Sequence, residues 1–195
     1  YSNDPDSQHG YIEQVRDYNY DIAVLDHVID NHFMQAIEQQ EEQLRFVRVD
    51  SEIPSKLVEK DEQQESALNE EEQKQIKTVF TSFLGEEKDN KIELKALSPN
   101  ENPVMIVQPE FMRRFQEMQA MQGGMPPGMD MDASQVIVNS NHELIVDKLL
   151  KEDDEGKRQS LAKHLYSLAL LNQGMLKGKD LSDFIKESMN YLKSY

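Results

Sequence analysis

The residues of this chain best suited to chemistry are methionines and phenylalanines rather than acids, bases or metal ligands. In EFMRRFQEMQAMQGGMPPGMDM, residues 110–131, Phe111, Met112, Phe115, Met118 and Met121 recur at spacings that put them on one broad face of a helix, with Arg113, Glu117 and Ala120 opposite. Six of the ten methionines lie between Met112 and Met131. Methionine is unbranched and polarizable, so such a face adapts to partners of irregular shape. Gly123-Gly124 and Met125-Pro126-Pro127-Gly128 stop the helix and predict a loop, where Met125, Met129 and Met131 have no regular element to bury them. Two readings stand side by side: an exposed, adaptable binding surface, or an ordinary core face.

Other chemistry finds little support. The five histidines, His9, His27, His32, His142 and His164, are scattered, with no HExxH pair, and His27 and His32 are five apart, a spacing that puts them on different helical sides. His142 follows Asn141 at an expected helix start, where local hydrogen bonding is its expected role. No GxxxxGK[ST], GxGxxG or GxSxG occurs, and Gly123-Gly124 has no phosphate-binding lysine after it. Carboxylates are plentiful, but abundance alone nominates no acid/base pair. The chain is expected not to be an enzyme, and to hold neither metal nor cofactor.

Composition narrows the partners. Thirty-seven acidic residues against 21 basic give a formal net charge of −16, a field that repels nucleic acid and anionic membrane surfaces alike. Cysteine is absent, which excludes disulfides and thiolate metal sites and is compatible with a reducing cytoplasm. No apolar run approaches a membrane span, and YSNDPDSQHG lacks a signal-peptide pattern. A chain that starts at Tyr1 without Met is expected to be a piece of a longer protein.

The elements that would position the Met-rich stretch follow from periodicity. Residues 7–17 are expected to form a short helix, capped by Ser7, with Tyr11, Val15 and Tyr18 inward; residues 21–25, DIAVL, suit a buried strand. Asp30 caps a helix to Gln40 with Phe33, Met34 and Ile37 inward, and LRFVRV, residues 44–49, alternates as a half-exposed strand. This order predicts a small α/β layer. Seven carboxylates against Lys60 between Glu59 and Glu72 read as a solvated run. A helix then spans Asn69 to Gly85, with Ile76, Val79, Phe80, Phe83 and Leu84 inward.

Strands are expected at Lys91–Leu97, Val104–Val107 and Gln135–Val138, with a turn over 98–103. The Met-rich stretch falls between the second and third strands, as an excursion from a small sheet. Asn141 is the expected cap of a helix carrying Leu144, Ile145 and Leu149 inward, with Val146 a further candidate. From Gly156 to Met175 the apolar set Leu161, Ala162, Leu165, Tyr166, Leu168, Ala169, Leu170, Leu171 and Met175 wraps nearly round a helix. The next helix, capped by Asp180, puts Leu181, Phe184, Ile185, Met189 and Leu192 on one face. That hairpin leaves one face of its first helix uncovered, and a second copy is the simplest cover, giving a two-fold dimer through a four-helix bundle. The fold class is therefore α+β: a small α/β layer, then a helix-rich domain with a small sheet and a terminal helical hairpin.

The order of these features resembles a known family. YDIAVLDHVIDNHFMQAIEQQ and LRFVRVDSEIPSKLVEK resemble the last α/β layer of the middle domain of the heat-shock protein 90 family in its bacterial form, HtpG. NPVMIVQPEFMRRFQEMQAM, VIVNSNHELIVDKLL, GKRQSLAKHLYSLALLNQGML and DLSDFIKESMNYLKS resemble its C-terminal dimerisation domain. The resemblance implies a boundary near residue 61, with residues 1–61 closing the middle domain and 62–195 forming the dimerisation domain. It implies a bacterial, cytoplasmic, ATP-driven chaperone that clamps partly folded clients between two protomers, with ATP and Mg bound by an N-terminal domain outside this chain. By the same resemblance Phe111, Met112, Phe115, Met118 and Met121, with Met125 and Met129, contact clients, and Leu161, Leu165, Leu168, Leu171, Phe184, Ile185, Met189 and Leu192 form the dimer. The ending LKSY departs from the MEEVD tail of eukaryotic cytosolic members, which argues against docking of tetratricopeptide co-chaperones. The alternative is a structural dimerisation scaffold whose Met-rich face is internal core.

Overall fold

The computed structural model describes residues 8–17, 21–25, 27, 29–41, 43–49, 65–107 and 134–193. The chain divides into two compact units, Tyr1–Lys60 with Gln108–Ala133, and Asp61–Val107 with Ser134–Tyr195.

In the first unit, α1 runs His9–Asp17 and buries Tyr11 and Val15, four apart on one face. The expected contributions of Ser7 and Tyr18 lie outside the described residues. Helix α2 spans Asp30–Gln40 and buries Met34, but Phe33, expected inward, is 51% exposed. Asp30 is the first helical residue rather than the cap: its carboxylate accepts from the His27 backbone N–H at 2.8 Å, upstream of the helix. Neither expected strand forms. Residues 21–25 and 44–48 carry no ladder, Val24 is 74% exposed, and the Phe46 N–H donates at 2.8 Å to the Glu38 carboxylate of α2. An apolar or alternating run becomes a strand only where a neighbour accepts its backbone groups. With no ladder formed, the expected α/β layer reduces, among the described residues, to two helices and irregular connections.

The second unit is built on helix α3, Glu70–Leu84. Asn69 Oδ1 accepts from the Glu71 and Glu72 N–H groups at 2.9 and 3.0 Å, and the Glu72 carboxylate returns a bond to the Asn69 N–H at 2.9 Å. Three glutamates in the first turn complement the helix dipole, and Gly85, at φ 98°, ends the helix in a conformation that side chains disfavour. Asn69→Ala removes the side-chain acceptor of the Glu71 and Glu72 N–H groups and keeps the backbone N–H that donates to Glu72, so unfolding stability is expected to fall by about 1 kcal/mol, read from the urea midpoint at unchanged slope.

Strands β1 (Ile92–Lys95), β2 (Val104–Val107) and β3 (Gln135–Asn139) form one sheet in the order β1-β3-β2. β3 is parallel to β1 and antiparallel to β2. The turn over 98–103 therefore joins two strands that are not neighbours, with β3 between them. The central position explains why Val136, Ile137 and Val138 are all buried: a strand covered on both faces reads as an unbroken apolar run. Val107 and Gln135 are register partners, so the stretch between β2 and β3 leaves and returns at adjacent positions of one antiparallel pair.

Ile76 and Phe80 of α3 pack with Ile92, Val104, Ile106, Val136 and Val138 of the sheet in one core. Ile145 and Leu149 join it from a single π-helical turn, Leu144–Leu149, where an α-helix was expected. Asn141 does not cap this turn. Its side chain accepts from the Ala67 N–H at 2.7 Å and donates to the carbonyls of Leu97 and Glu65 at 3.1 and 3.2 Å, tying residues 65–67 to the end of the sheet. Fully buried Asn139 supports it by accepting from the Leu97 and Asn141 N–H groups and donating one N–H to the Ser98 carbonyl. The local bond expected of His142 is present, since its Nδ1 accepts from the Leu144 N–H at 3.0 Å. Burial pushes the His142 imidazole below its ordinary range, which suits a ring nitrogen that must accept.

Helix α4 (Glu155–Asn172), capped by Asp154 through the Lys157 N–H at 2.9 Å, closes the core with Ala162, Leu165 and Ala169. Just past its end Gln173 donates to the Ile106 carbonyl of β2 at 3.0 Å, satisfying an edge acceptor. A turn with Gly174 at φ 64° leads to α5, Gly178–Lys193, in which Asp180 sits in the first turn. No helix among the described residues is long and apolar enough to cross a membrane.

Candidate interaction surface

Helix α4 is apolar on two sides for two reasons. Ala162, Leu165 and Ala169, at i, i+3 and i+7, meet the core. Ser160, His164, Leu168 and Leu171 form a second row about 140° away round the helix, at about 100° per residue. The N-terminal half of that row meets α5: the Ser160 and Tyr191 hydroxyls are 2.9 Å apart, the His164 ring stacks on Phe184, and it meets Tyr191 edge-on. Ser160 opposite Tyr191 and His164 opposite Phe184 make α4 and α5 an antiparallel hairpin.

The C-terminal half of the row is bare. Leu168 and Leu171 are each 42% exposed, and on α5 Ile185, Met189 and Leu192 are 48%, 57% and 70% exposed. Ile185, Met189 and Leu192 fall at i, i+4 and i+7, a single stripe flanking the row with which Phe184 and Tyr191 face α4. Phe184 and Leu165, expected at the same interface, are instead buried within the chain, and Leu161 is partly buried against the core. Five of the eight expected positions are therefore available to a partner. Met175, 48% exposed just beyond α4, was not among them. The signal for it was its place in the apolar set of this helix, one turn past Leu171.

The expected client-contact residues Phe111, Met112, Phe115, Met118, Met121, Met125 and Met129 lie outside the described residues. Among the described residues no group of three or more His, Asp or Glu side chains could hold a metal ion. On the opposite side of the hairpin, Lys163 lies 5.9 Å over the Phe83 ring of α3, and Phe83 meets Tyr166 edge-on, so α4 is pinned to the body by aromatic contacts. Among the described residues the terminal hairpin thus presents an apolar face.

The family model described as Hsp90 protein matches residues 2–195. Chaperone protein HtpG of Bacteroides thetaiotaomicron is 37% identical over 158 residues, covering 78% of this chain and 23% of that protein. The HtpG proteins of Bacteroides fragilis and Porphyromonas gingivalis are 34% and 32% identical over 158 and 164 residues, covering 80% and 83% of this chain. The chain thus spans about a quarter of the length of these relatives, 23% and 24% for the last two.

Proposed function

The chain belongs to the Hsp90 protein family, and from that premise we propose that it is the self-associating, client-contacting end of a bacterial cytoplasmic chaperone. The observation that carries the reading is the exposed row Leu168, Leu171, Ile185, Met189 and Leu192 on a hairpin that is otherwise well packed. Isolated exposed apolar residues need no explanation, but five of them on two paired helices mark a surface that is covered in use. A second copy covers it most economically, because the same hairpin offers the complementary stripe under two-fold symmetry and completes a four-helix bundle. In this reading residues 1–61 close a middle domain and residues 62–195 form the dimerisation domain.

Client contact is assigned to Phe111, Met112, Phe115, Met118, Met121, Met125 and Met129. Support comes from their composition and from their place in the chain, as an excursion between β2 and β3. Doubling the chain would double the number of soft apolar contacts, so a client held by both copies gains from the high effective concentration of the second site. Hydrolysis of ATP is assigned to parts of the longer protein.

The test is capture of a heat-unfolded client, followed by light scattering, by the native chain and by Phe115→Asp combined with Met118→Asp. The expected result is loss of most of the suppression of client aggregation, with an unchanged melting midpoint and mass. Unchanged suppression would remove the client role. A sharply lowered melting midpoint would instead show that the Met-rich face is internal core, because a buried carboxylate is costly.

A further inference from the structure

His164 occupies the seam between α4 and α5 and has no role in the reading above. Its ring stacks on Phe184 with centroids 4.9 Å apart and planes 26° apart, and meets Tyr191 at 4.9 Å and 61°. Its Nδ1 is buried and has no hydrogen-bond partner among the described residues. A neutral imidazole suits that position as one aromatic ring among others. An imidazolium does not, because it places an N–H donor on Nδ1 where nothing accepts it.

The groups facing the ring from α5 are the Glu187 carboxylate, which favours the charged form, and the Tyr191 phenol, whose oxygen is already engaged with Ser160. Both aromatic faces also attract a cation to some degree. Lys163, the neighbour on α4, is turned onto Phe83 of α3. Desolvation outweighs the attraction of Glu187 and holds the His164 imidazole below its ordinary range. A proton therefore binds more tightly when the ring leaves the seam. The closed seam is fully favoured above the ordinary imidazole range and is lost as pH falls through the lowered value.

We propose that His164 is a pH-sensitive latch: its protonation expels the ring from between Phe184 and Tyr191, loosens α5 from α4 and weakens self-association of the chain. The link to self-association rests on the dimer reading given above. Leu168 lies one turn beyond His164, and Ile185 and Leu192 directly follow Phe184 and Tyr191. Any shift of α5 at the seam therefore separates the two halves of the exposed stripe. Opening is a small helix movement of the kind that packed interfaces convert into two discrete states.

The experiment is sedimentation of the whole chain at about pH 7.5 and about pH 5.5, bracketing the ordinary imidazole value, together with the melting midpoint at each pH. Native chain, His164→Phe and Glu187→Gln are compared. The native chain is expected to associate about fivefold or more weakly in acid, the lower end of typical linked couplings. His164→Phe, which keeps the stacking and cannot titrate, is expected to lose that component. Glu187→Gln, which removes the group favouring charge, is expected to move the transition to lower pH. Equal acid responses of the native chain and His164→Phe overturn the latch, as does a native chain indifferent to pH in both readouts. If the chain is monomeric at both pH values, the dimer reading fails by itself. The latch is then decided by the melting midpoint, where an acid loss larger in the native chain than in His164→Phe supports it and equal losses overturn it.

Discussion

Leu168→Asp combined with Met189→Asp is expected to leave the chain monomeric across micromolar concentrations, and to lower its melting midpoint no further than that of the native chain diluted to monomer. Both side chains are about half exposed in the single chain, so neither supports the core, and substitutions at such positions ordinarily change stability by within about 0.5 kcal/mol. In a two-fold interface each position occurs twice. At roughly 1.5–3 kcal/mol for burying each large apolar side chain, the pair accounts for several kcal/mol of association before the penalty of four buried carboxylates is added. Each 1.4 kcal/mol is about tenfold in dissociation constant, so the loss exceeds about a thousandfold. Sedimentation and a thermal melt on the same sample separate the two effects.

Phe80→Ala is expected to do the reverse, lowering unfolding stability by about 3–5 kcal/mol while leaving the stripe chemically intact. Phe80 is fully buried, meets Phe83 at 5.7 Å, and belongs to the cluster that joins α3 to the sheet and to α4. Removing its ring opens a cavity between β-strands and helices that are themselves tightly held, and such sites collapse poorly. For a domain of this size the loss is a large share of total stability. Phe33→Ala is the control: with half its surface already in solvent, it is expected to change the urea midpoint little.

Those two residues show where the sequence was readable. Phe80 sits in a helix whose start and stop are both written locally, in Asn69 with Glu72 and in Gly85, and whose inward stripe has a clear period. The apolar run of β3 was readable for the same reason, although its place between β1 and β2 was not, because pairing partners are chosen by tertiary contacts. DIAVL and LRFVRV have the pattern of strands but form no ladder, so a correct local preference gave the wrong element.

Asn141 was misread in a different way. An asparagine before an apolar helix reads as a cap, but its amide is drawn to the backbone at Ala67, Glu65 and Leu97, groups distant in sequence that no local pattern displays. The interaction surface was legible as an excess of apolar positions on the terminal hairpin. Which of them face the core was not, since Leu165 and Leu168 differ only by less than one turn of the same helix. The separation between them needs the position of the sheet and α3. The seam at His164 was also invisible, because an aromatic neighbour on another helix leaves no spacing in the sequence.

The central claim, that the terminal hairpin joins two copies, is tested most directly by the mass of the native chain in sedimentation equilibrium over micromolar concentrations. The account predicts twice the 22.6 kDa of the single chain, falling to the single-chain mass on dilution or with Leu168→Asp and Met189→Asp. A mass of 22.6 kDa at every concentration would contradict it.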